Sequence, residues 1–229
     1  MYAIKTFSKD ASLDEMHKAA VEDGVFLIEN YLEGERLEAL RKEVLRQIKT
    51  KGIDYKPGRA LRGKALKAYG QNNVIRQVFS EKWMYQLYMM ITGGKDKGYG
   101  KSIYANHDYH MSTELERNGW LHFDRNSCWK YFIYLSDIDE EGGAFSIVPQ
   151  SHKVGKRLHK EAWKETNNYA KVKNRLQLDY PEIYETTKVL PIEAPAGTLI
   201  AFDTNCFHRG GLVLKEGKER LVVRLNNFK

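Results

Sequence analysis

The N-terminal part of the chain shows apolar residues at helical spacing. Ser12 and Glu15 form an S-x-x-E capping box, so a helix should begin near Ser12 and end at Gly24. The apolar residues 25–28 then predict a short strand. A second amphipathic helix closing near Gly52 is indicated by residues at intervals of one, three or four: Leu37, Leu40, Val44, Leu45 and Ile48. This face should pack against a sheet.

A stretch without periodicity follows. Residues 52–70 contain one proline and several glycines and show no sustained pattern, so we expect a loop. Residues 72–92 return to helical spacing. Their inward-facing positions should be Val74, Val78, Trp83, Leu87 and Met90.

From residue 99 onward the pattern is that of strands. Short segments rich in β-branched and aromatic residues are separated by Gly, Pro, Asp and Asn. The predicted strands are SIYANHDYH, GWLHFD, CWKYFIYLS, AFSIV, KVLPIEA, GTLIAFD and RLVVRLNNF. We therefore predict one mainly β domain in which residues 1–98 are mostly helical. Residues 99–229 should form an antiparallel barrel or jelly roll, with a charged helical insertion near 155–185.

Composition narrows the class of protein. The chain has 229 residues, of which 42% are hydrophobic and 29% charged, as in a soluble globular domain. Cys128 and Cys206 are too few for a disulfide framework and fit a reducing compartment. We recognise neither a signal peptide nor a membrane-spanning segment. The sequence thus predicts a cytoplasmic protein that does not bind a membrane.

The net charge of +7 raises the question of nucleic-acid binding. The charge is spread along the chain, and its densest stretch, residues 56–67, has no accompanying nucleic-acid-binding motif. We therefore expect a small-molecule partner, with an anionic one suited to the basic charge, and no nucleic acid. The chain should act as a monomer or homodimer.

Candidate metal ligands lie in two predicted strands. In WLHFD, alternation along a strand places His122 and Asp124 on the same face. His208 follows 84 residues after Asp124, far enough to arrive from an opposing strand. Two imidazoles and one carboxylate on one side of a metal leave open positions, the arrangement used for Fe(II) that activates O2. An H-x-D pair with a distant histidine is by itself a weak signal.

Two arginines make the prediction of an iron site more specific. Arg220 lies 12 residues after His208, in a segment that predicts the next strand. A guanidinium there could form a two-pronged salt bridge with the distal carboxylate of a dicarboxylic acid bound to the metal. Arg224 shares the same strand face and could take that role instead, or contact a substrate.

Several motifs in this order resemble the phytanoyl-CoA dioxygenase family of Fe(II)/2-oxoglutarate oxygenases. The matching stretches are DGVFLIENYLEGERLEALRKEV, WLHFD, YLSDIDEEGGAFSIVPQSHK, PAGTLIAFDTNCFHRGG and KERLVVRLN. They cover nearly the whole chain from Asp23 onward. Gln150 stands where the family usually has glycine, which should change a turn rather than the chemistry.

The resemblance implies a double-stranded β-helix, a cupin-like jelly roll, with Fe(II) as cofactor and 2-oxoglutarate and O2 as co-substrates. His122, Asp124 and His208 would hold the iron, and Arg220 would grip the 5-carboxylate of 2-oxoglutarate. The expected reaction hydroxylates a C–H bond of a small molecule and releases succinate and CO2. Because halogenating relatives carry a small residue in place of the carboxylate, Asp124 favours hydroxylation over halogenation.

The resemblance also suggests further contacts. Tyr104 and Asn106 occupy positions where family members often place a polar contact to 2-oxoglutarate. The basic loop lies where relatives often have a lid, so Arg59, Arg62 and Lys64 are candidates to contact an anionic group of the substrate.

The strand CWKYFIYLS should have one face toward the metal. Trp129, with residues 131 and 133, shares one face, and Lys130 and Phe132 share the other. Trp129 is our candidate substrate contact, but strand parity alone leaves open which face looks toward the iron.

Two other classes of function use the same residues. The three ligands could form the zinc site of a metal hydrolase. Alternatively, the chain could be a non-catalytic jelly-roll binding module. Arg220 at its spacing and the lack of an obvious general base nearby favour the oxygenase over the hydrolase, and the intact ligands favour it over the binding module.

Overall fold

The computed structural model describes residues 3–49, 61–68, 70, 72–95, 99, 102–110 and 119–228, with only the backbone of 61–64, 169 and 228. The helices are α1 (Leu13–Glu22), α2 (Gly34–Lys49), α3 (Val74–Phe79), α4 (Lys82–Ile91), α5 (His152–Thr166), α6 (Leu176–Asp179) and α7 (Pro181–Glu185). The strands are β1 (Thr6–Phe7), β2 (Val25–Ile28), β3 (Leu61–Ala65), β4 (Ser102–Tyr109), β5 (Cys128–Tyr134), β6 (Phe145–Ile147), β7 (Leu190–Ile192), β8 (Leu199–Asp203), β9 (His208–Arg209) and β10 (Glu219–Phe228).

Two sheets form the core of the described structure. The large sheet has the strand order β1-β2-β8-β5-β10-β4-β3, and the small sheet has the order β7-β6-β9. Strand β1 pairs with β2 in parallel, and the other neighbours run antiparallel. His122 extends the small sheet through a single antiparallel bridge to His208. The predicted jelly-roll, cupin-like core is confirmed.

Each face of the large sheet packs against a different layer. Strand β5 is buried along its whole length, as expected of a central strand covered on both faces. Trp129 and Tyr131 belong to the apolar cluster that includes the buried faces of α1 to α4. Phe132 belongs to the second cluster, which faces the small sheet. The space between the two sheets is therefore lined by the Phe132 face of β5.

The first helix and strand follow the sequence closely. Ser12 caps α1, with both hydrogen bonds of the capping box in place. The predicted strand at 25–28 is β2. Helix α2 buries Leu40, Val44 and Ile48. None of the helices in the described segments has the length and hydropathy needed to cross a membrane.

Three local expectations were wrong. Within the expected loop 52–70, residues 61–65 form β3, which pairs with β4 across a β-bulge. The expected helix over 72–92 is two helices separated at residues 80–81, and Asn73 caps the first of them. Met90, expected to face inward, is 37% exposed.

The helical insertion supports the segment that carries His122 and Asp124. The backbone N–H of Leu176 donates to the carbonyl of Leu121 at 2.8 Å. The side chain of Asn174 donates to the carbonyl of Phe123 at 2.6 Å. Apolar residues of α5 and α6 pack with Leu121 and Phe123 in a third cluster. The insertion thus fixes the backbone on both sides of His122.

Gly197, just before β8, lies against the backbone of Leu32, which follows β2. Its φ is +89°, and a Cβ there would lie 1.9 Å from the carbonyl oxygen of Leu32. Gly217 has a similar φ of +83°, but a Cβ there would meet no described atom within 4 Å. Alanine should cost about 1–2 kcal/mol at either position for the left-handed backbone. At Gly197 the clash should add about 1–3 kcal/mol.

Urea denaturation of the variants Gly197→Ala and Gly217→Ala measures this difference. Equal losses of stability would show that the Leu32 backbone moves away freely.

Candidate metal centre

The three predicted ligands line one cavity between the two sheets. Ligand atoms of His122, Asp124 and His208 lie within 4.8 Å of one another. His208 begins β9, and His122 exchanges two backbone hydrogen bonds with it, of 2.9 and 2.8 Å. The backbone N–H of Asp124 donates to the carbonyl of Thr204 at 2.9 Å. The expected strand at GWLHFD was wrong, since only His122 of this segment forms a bridge.

Both imidazoles are oriented by backbone carbonyls. Nδ1 of His122 lies 2.8 Å from the carbonyl of Trp120, and Nδ1 of His208 lies 2.7 Å from that of Cys206. Because a carbonyl only accepts, each Nδ1 must carry the proton and donate it. Nε2 of each ring then keeps its lone pair and is available to a metal. Burial and the neighbouring His208 lower the pKa of His122 to about 4, so this ring is neutral at physiological pH.

Asp124 supplies one oxygen to this group. Its Oδ1 lies 3.5 Å from Nε2 of His208 and 3.8 Å from Nε2 of His122. Two atoms that each bind an ion at about 2.1 Å can lie at most about 4.2 Å apart, so both separations fit a shared ion. Its Oδ2 accepts from Nζ of Lys130 at 2.5 Å. Burial acts to raise the pKa of Asp124, but Lys130 and His208 hold it well below its usual range.

A cavity of about 120 Å³ opens beside these atoms. It is lined by Asn106, His122, Asp124, Lys130, Phe132, Phe145, His208, Gly210, Arg220, Val222 and Arg224. Three larger grooves among the described residues, of about 460, 580 and 710 Å³, are lined by none of the predicted metal ligands. The chemistry of the lining residues, rather than volume, therefore marks the candidate site.

The cavity shows which face of β5 looks toward the ligands. Lys130 and Phe132 line it. Trp129 is fully buried on the opposite face, with its ring 6.1 Å from that of Phe26. Its assignment as a substrate contact was therefore wrong, because the helical layer covers that face.

Arg220 is held rigidly at one end of the cavity. Its Nε and Nη2 donate to Oδ2 of Asp108 at 3.0 and 2.6 Å. Its Nη1 donates to the carbonyl of Gly143 at 2.6 Å. Arg220 and Asp108 are both almost fully buried, at 3% and 4% exposed. A guanidinium has five N–H groups, so two of them remain for a ligand.

The other residues on this face of β4 and β10 have distinct positions. Asn106 lines the cavity beside Val222, its neighbour in the sheet. The ring of Tyr104 lies under the Arg224 guanidinium, 5.3 Å from centroid to Cζ. Tyr104 thus contacts the second arginine. Burial lowers the pKa of Arg224.

The basic loop residues cannot be placed in the same way. Arg59 lies outside the described residues, as do the side chains of Arg62 and Lys64 on β3. Their proposed contact with an anionic substrate remains a prediction.

Sequence reasoning missed two charged residues of the site. Lys130 contacts Asp124, and Asp108 contacts Arg220. Parity on β4 could have found Asp108, since it shares a face with Asn106 and Tyr104. The role of Lys130 depends on which face of β5 is inward, and the pattern of β5 does not show this.

The sequence matches the model of a known protein family. The model for the phytanoyl-CoA dioxygenase family, PhyH, matches residues 60–214, more than half of the chain. The chain belongs to the phytanoyl-CoA dioxygenase family. The predicted class, an Fe(II)- and 2-oxoglutarate-dependent dioxygenase, is thereby confirmed, with iron as cofactor and 2-oxoglutarate and O2 as co-substrates. The matched stretch contains His122, Asp124 and His208 but ends before both arginines of β10.

Solved structures share the fold of this family member. The epimerase SnoN, in complex with Fe3+, alpha ketoglutarate and nogalamycin RO, has a TM-score of 0.63 and 12% identity. That comparison covers 95% of this chain and 83% of SnoN. The non-heme alpha ketoglutarate dependent carbocyclase SnoK has a TM-score of 0.65 and 16% identity, covering 96% and 85%. No protein of curated function matches the sequence.

Breaking the buried ion pair between Arg220 and Asp108 should destabilise the fold. The variant Asp108→Asn keeps the size of the side chain but leaves the guanidinium without a counter-charge. Breaking a buried pair in this way costs about 3–5 kcal/mol. The matched variant Asp139→Asn removes a carboxylate that pairs with Lys218 in solvent, so it should change stability little. Chemical denaturation of both variants checks the difference, and similar midpoints would contradict the assignment.

Proposed function

We propose that this phytanoyl-CoA dioxygenase family member oxidises a C–H bond of a small-molecule substrate, with hydroxylation as the outcome. In this proposal 2-oxoglutarate is converted to succinate and CO2. His122, Asp124 and His208 hold the iron, and Arg220 binds the distal carboxylate of 2-oxoglutarate. The observation that carries the proposal is the convergence of two Nε2 atoms and one carboxylate oxygen on one point beside a cavity.

The donor set suits Fe(II). Two neutral imidazoles and one carboxylate bind one side of the ion and leave its other positions open. Iron held there would supply the activation of O2 against the substrate. The carbonyls of Trp120 and Cys206 keep the imidazoles in the metal-binding tautomer. Lys130 holds the carboxylate oxygen that faces away from His208 and so fixes which oxygen is presented.

Arg220 suits the co-substrate. Its guanidinium is oriented in advance by Asp108 and Gly143, so little conformational entropy is lost when a ligand binds. Its two remaining N–H groups can donate to the two oxygens of one carboxylate. Since Asp108 already balances its charge, Arg220 would act mainly through the direction of these hydrogen bonds.

The carboxylate of Asp124 bears on which product the oxidation gives. Asp124 keeps a carboxylate at the position that halogenating relatives leave open, which favours hydroxylation. The fold is shared by an epimerase and a carbocyclase, so it also accommodates other outcomes. Product analysis by mass spectrometry separates them, since hydroxylation adds one oxygen atom from O2. We also propose a cytoplasmic location, which suits two buried cysteines that form no disulfide.

Iron binding by the three residues can be tested with the spectrum of the co-substrate complex. Under anaerobic conditions, protein with Fe(II) should develop a weak visible charge-transfer band when 2-oxoglutarate is added. The variant His122→Ala should lose the band, because removing a direct ligand should lower iron affinity by about 100-fold or more. His17→Ala, on helix α1, is the matched control and should keep the band. No band and no succinate from the unaltered protein would favour the hydrolase or the binding module.

Replacement of Arg220 should separate co-substrate binding from iron binding. Loss of two charge-assisted hydrogen bonds should weaken 2-oxoglutarate binding by about 10- to 100-fold in Arg220→Ala. Iron binding should change far less, because Arg220 contacts none of the three ligands in the described structure. Arg209→Ala, on strand β9 of the small sheet, is the matched control. Titration of the charge-transfer band measures both constants, and unchanged 2-oxoglutarate affinity would reject the role of Arg220.

A further inference from the structure

Arg224 is a cation of the candidate site on which the carboxylates of Asp124 and Asp108 act only from beyond salt-bridge distance. Its side chain lines the same cavity as the three metal ligands. Its Nε is fully buried and has no hydrogen-bond partner. Among the described residues, no carboxylate forms a salt bridge with it, and its guanidinium lies over the ring of Tyr104.

The other cations of the cavity each have a carboxylate partner. Lys130 contacts Asp124, and Arg220 contacts Asp108. The divalent iron and the doubly charged 2-oxoglutarate cancel each other. Among the described residues, the complex of protein, iron and co-substrate therefore keeps one unbalanced positive charge, on Arg224. An unpaired charge in a partly buried cavity is unfavourable, so the site favours a ligand that supplies the missing negative charge.

The strand register places Arg224 between the metal and Arg220. Arg220 lies opposite Asp108, and Arg224 lies opposite Tyr104 and Phe132. Lys130, which contacts Asp124, is one inward position further along β5. Arg224 is thus nearer to the metal ligands along the sheet than Arg220 is, where a substrate must place the bond that reacts.

The other residues that line the cavity indicate what else the ligand should contain. Phe132, Phe145 and Val222 line the same cavity and offer apolar surface. Asn106 adds one polar side chain. A ligand that satisfies these walls and Arg224 has an apolar body and one anionic group.

We propose that Arg224 is the specificity-determining residue that binds a carboxylate, or a similar singly charged group, of an otherwise apolar substrate. This inference rests on the proposed function, because it takes iron and 2-oxoglutarate as the other occupants of the cavity. It names the substrate class: small organic acids rather than neutral molecules.

Matched acids and amides test this inference. The probes are hexanoate with hexanamide, and 3-phenylpropanoate with 3-phenylpropanamide. Calorimetry measures their binding to the anaerobic protein carrying Fe(II) and 2-oxoglutarate. In the unaltered protein each acid should bind about ten-fold or more tightly than its amide, since a charge-assisted hydrogen bond is lost in the amide. Arg224→Met should remove this preference, whereas Arg224→Lys should keep part of it.

Three results decide against the inference. The inference is overturned if the unaltered protein binds the acids and amides equally, or binds neither. It is also overturned if the preference for acids over amides survives in Arg224→Met. A loss of 2-oxoglutarate affinity of about ten-fold or more in Arg224→Met would assign the residue to the co-substrate instead. Arg209→Met is the matched control, and unchanged 2-oxoglutarate affinity in Arg224→Met also shows that the variant folds.

The two proposals fail in different ways. If the unaltered protein gives no charge-transfer band with 2-oxoglutarate, the proposed oxygenase function fails. If the band forms but the acids are not preferred over the amides, or the preference survives in Arg224→Met, the inference about Arg224 fails and the oxygenase function stands.

Discussion

The backbone bridge between His122 and His208 is the interaction on which the candidate site depends. Two hydrogen bonds, of 2.9 and 2.8 Å, join a segment without regular strand structure to the first residue of β9. They bring the two rings to 4.5 Å between centroids. The bridge fixes this segment at His122, and the hydrogen bond from Asp124 to Thr204 fixes it at a second residue. The helical insertion adds hydrogen bonds to the backbone on both sides of His122, so it forms part of the support of the metal centre.

The charged residues inside the jelly roll form pairs at different positions along the large sheet. The Lys130–Asp124 contact lies at the metal end, and the buried Arg220–Asp108 pair lies at the other. Buried pairs of this kind add little stability compared with apolar residues, because desolvation offsets their attraction. Their value here is orientation: each cation fixes one carboxylate, and each carboxylate fixes one cation. The central position between them, Arg224, lacks such a partner in the described structure, so its charge is the one left for a ligand.

Much of this arrangement could be predicted from the sequence, and the exceptions have physical causes. The capping box at Ser12 and the apolar period of α2 depend on local interactions, so local patterns revealed them. Strand β3 was missed because its pairing with β4, rather than its own glycine-containing sequence, makes it a strand. Asp108 opposite Arg220 depends on strand register, and Trp129 was misplaced because a strand buried on both faces carries no alternation. The ligands themselves were foreseeable, although regular strand alternation is not what aligns them.

The two arginines of β10 show why spacing alone cannot assign a role. Arg220 and Arg224 share a strand face and a cavity, and either spacing from His208 would allow contact with a bound acid. Their surroundings separate them. Arg220 has a carboxylate and a carbonyl to orient it, so it can offer directed hydrogen bonds with little net charge. Arg224 has an aromatic face and a buried, unpaired Nε, so it offers charge with less direction. A co-substrate that is always the same molecule suits the oriented group, whereas a substrate that must be drawn in and held beside the metal suits the unbalanced charge.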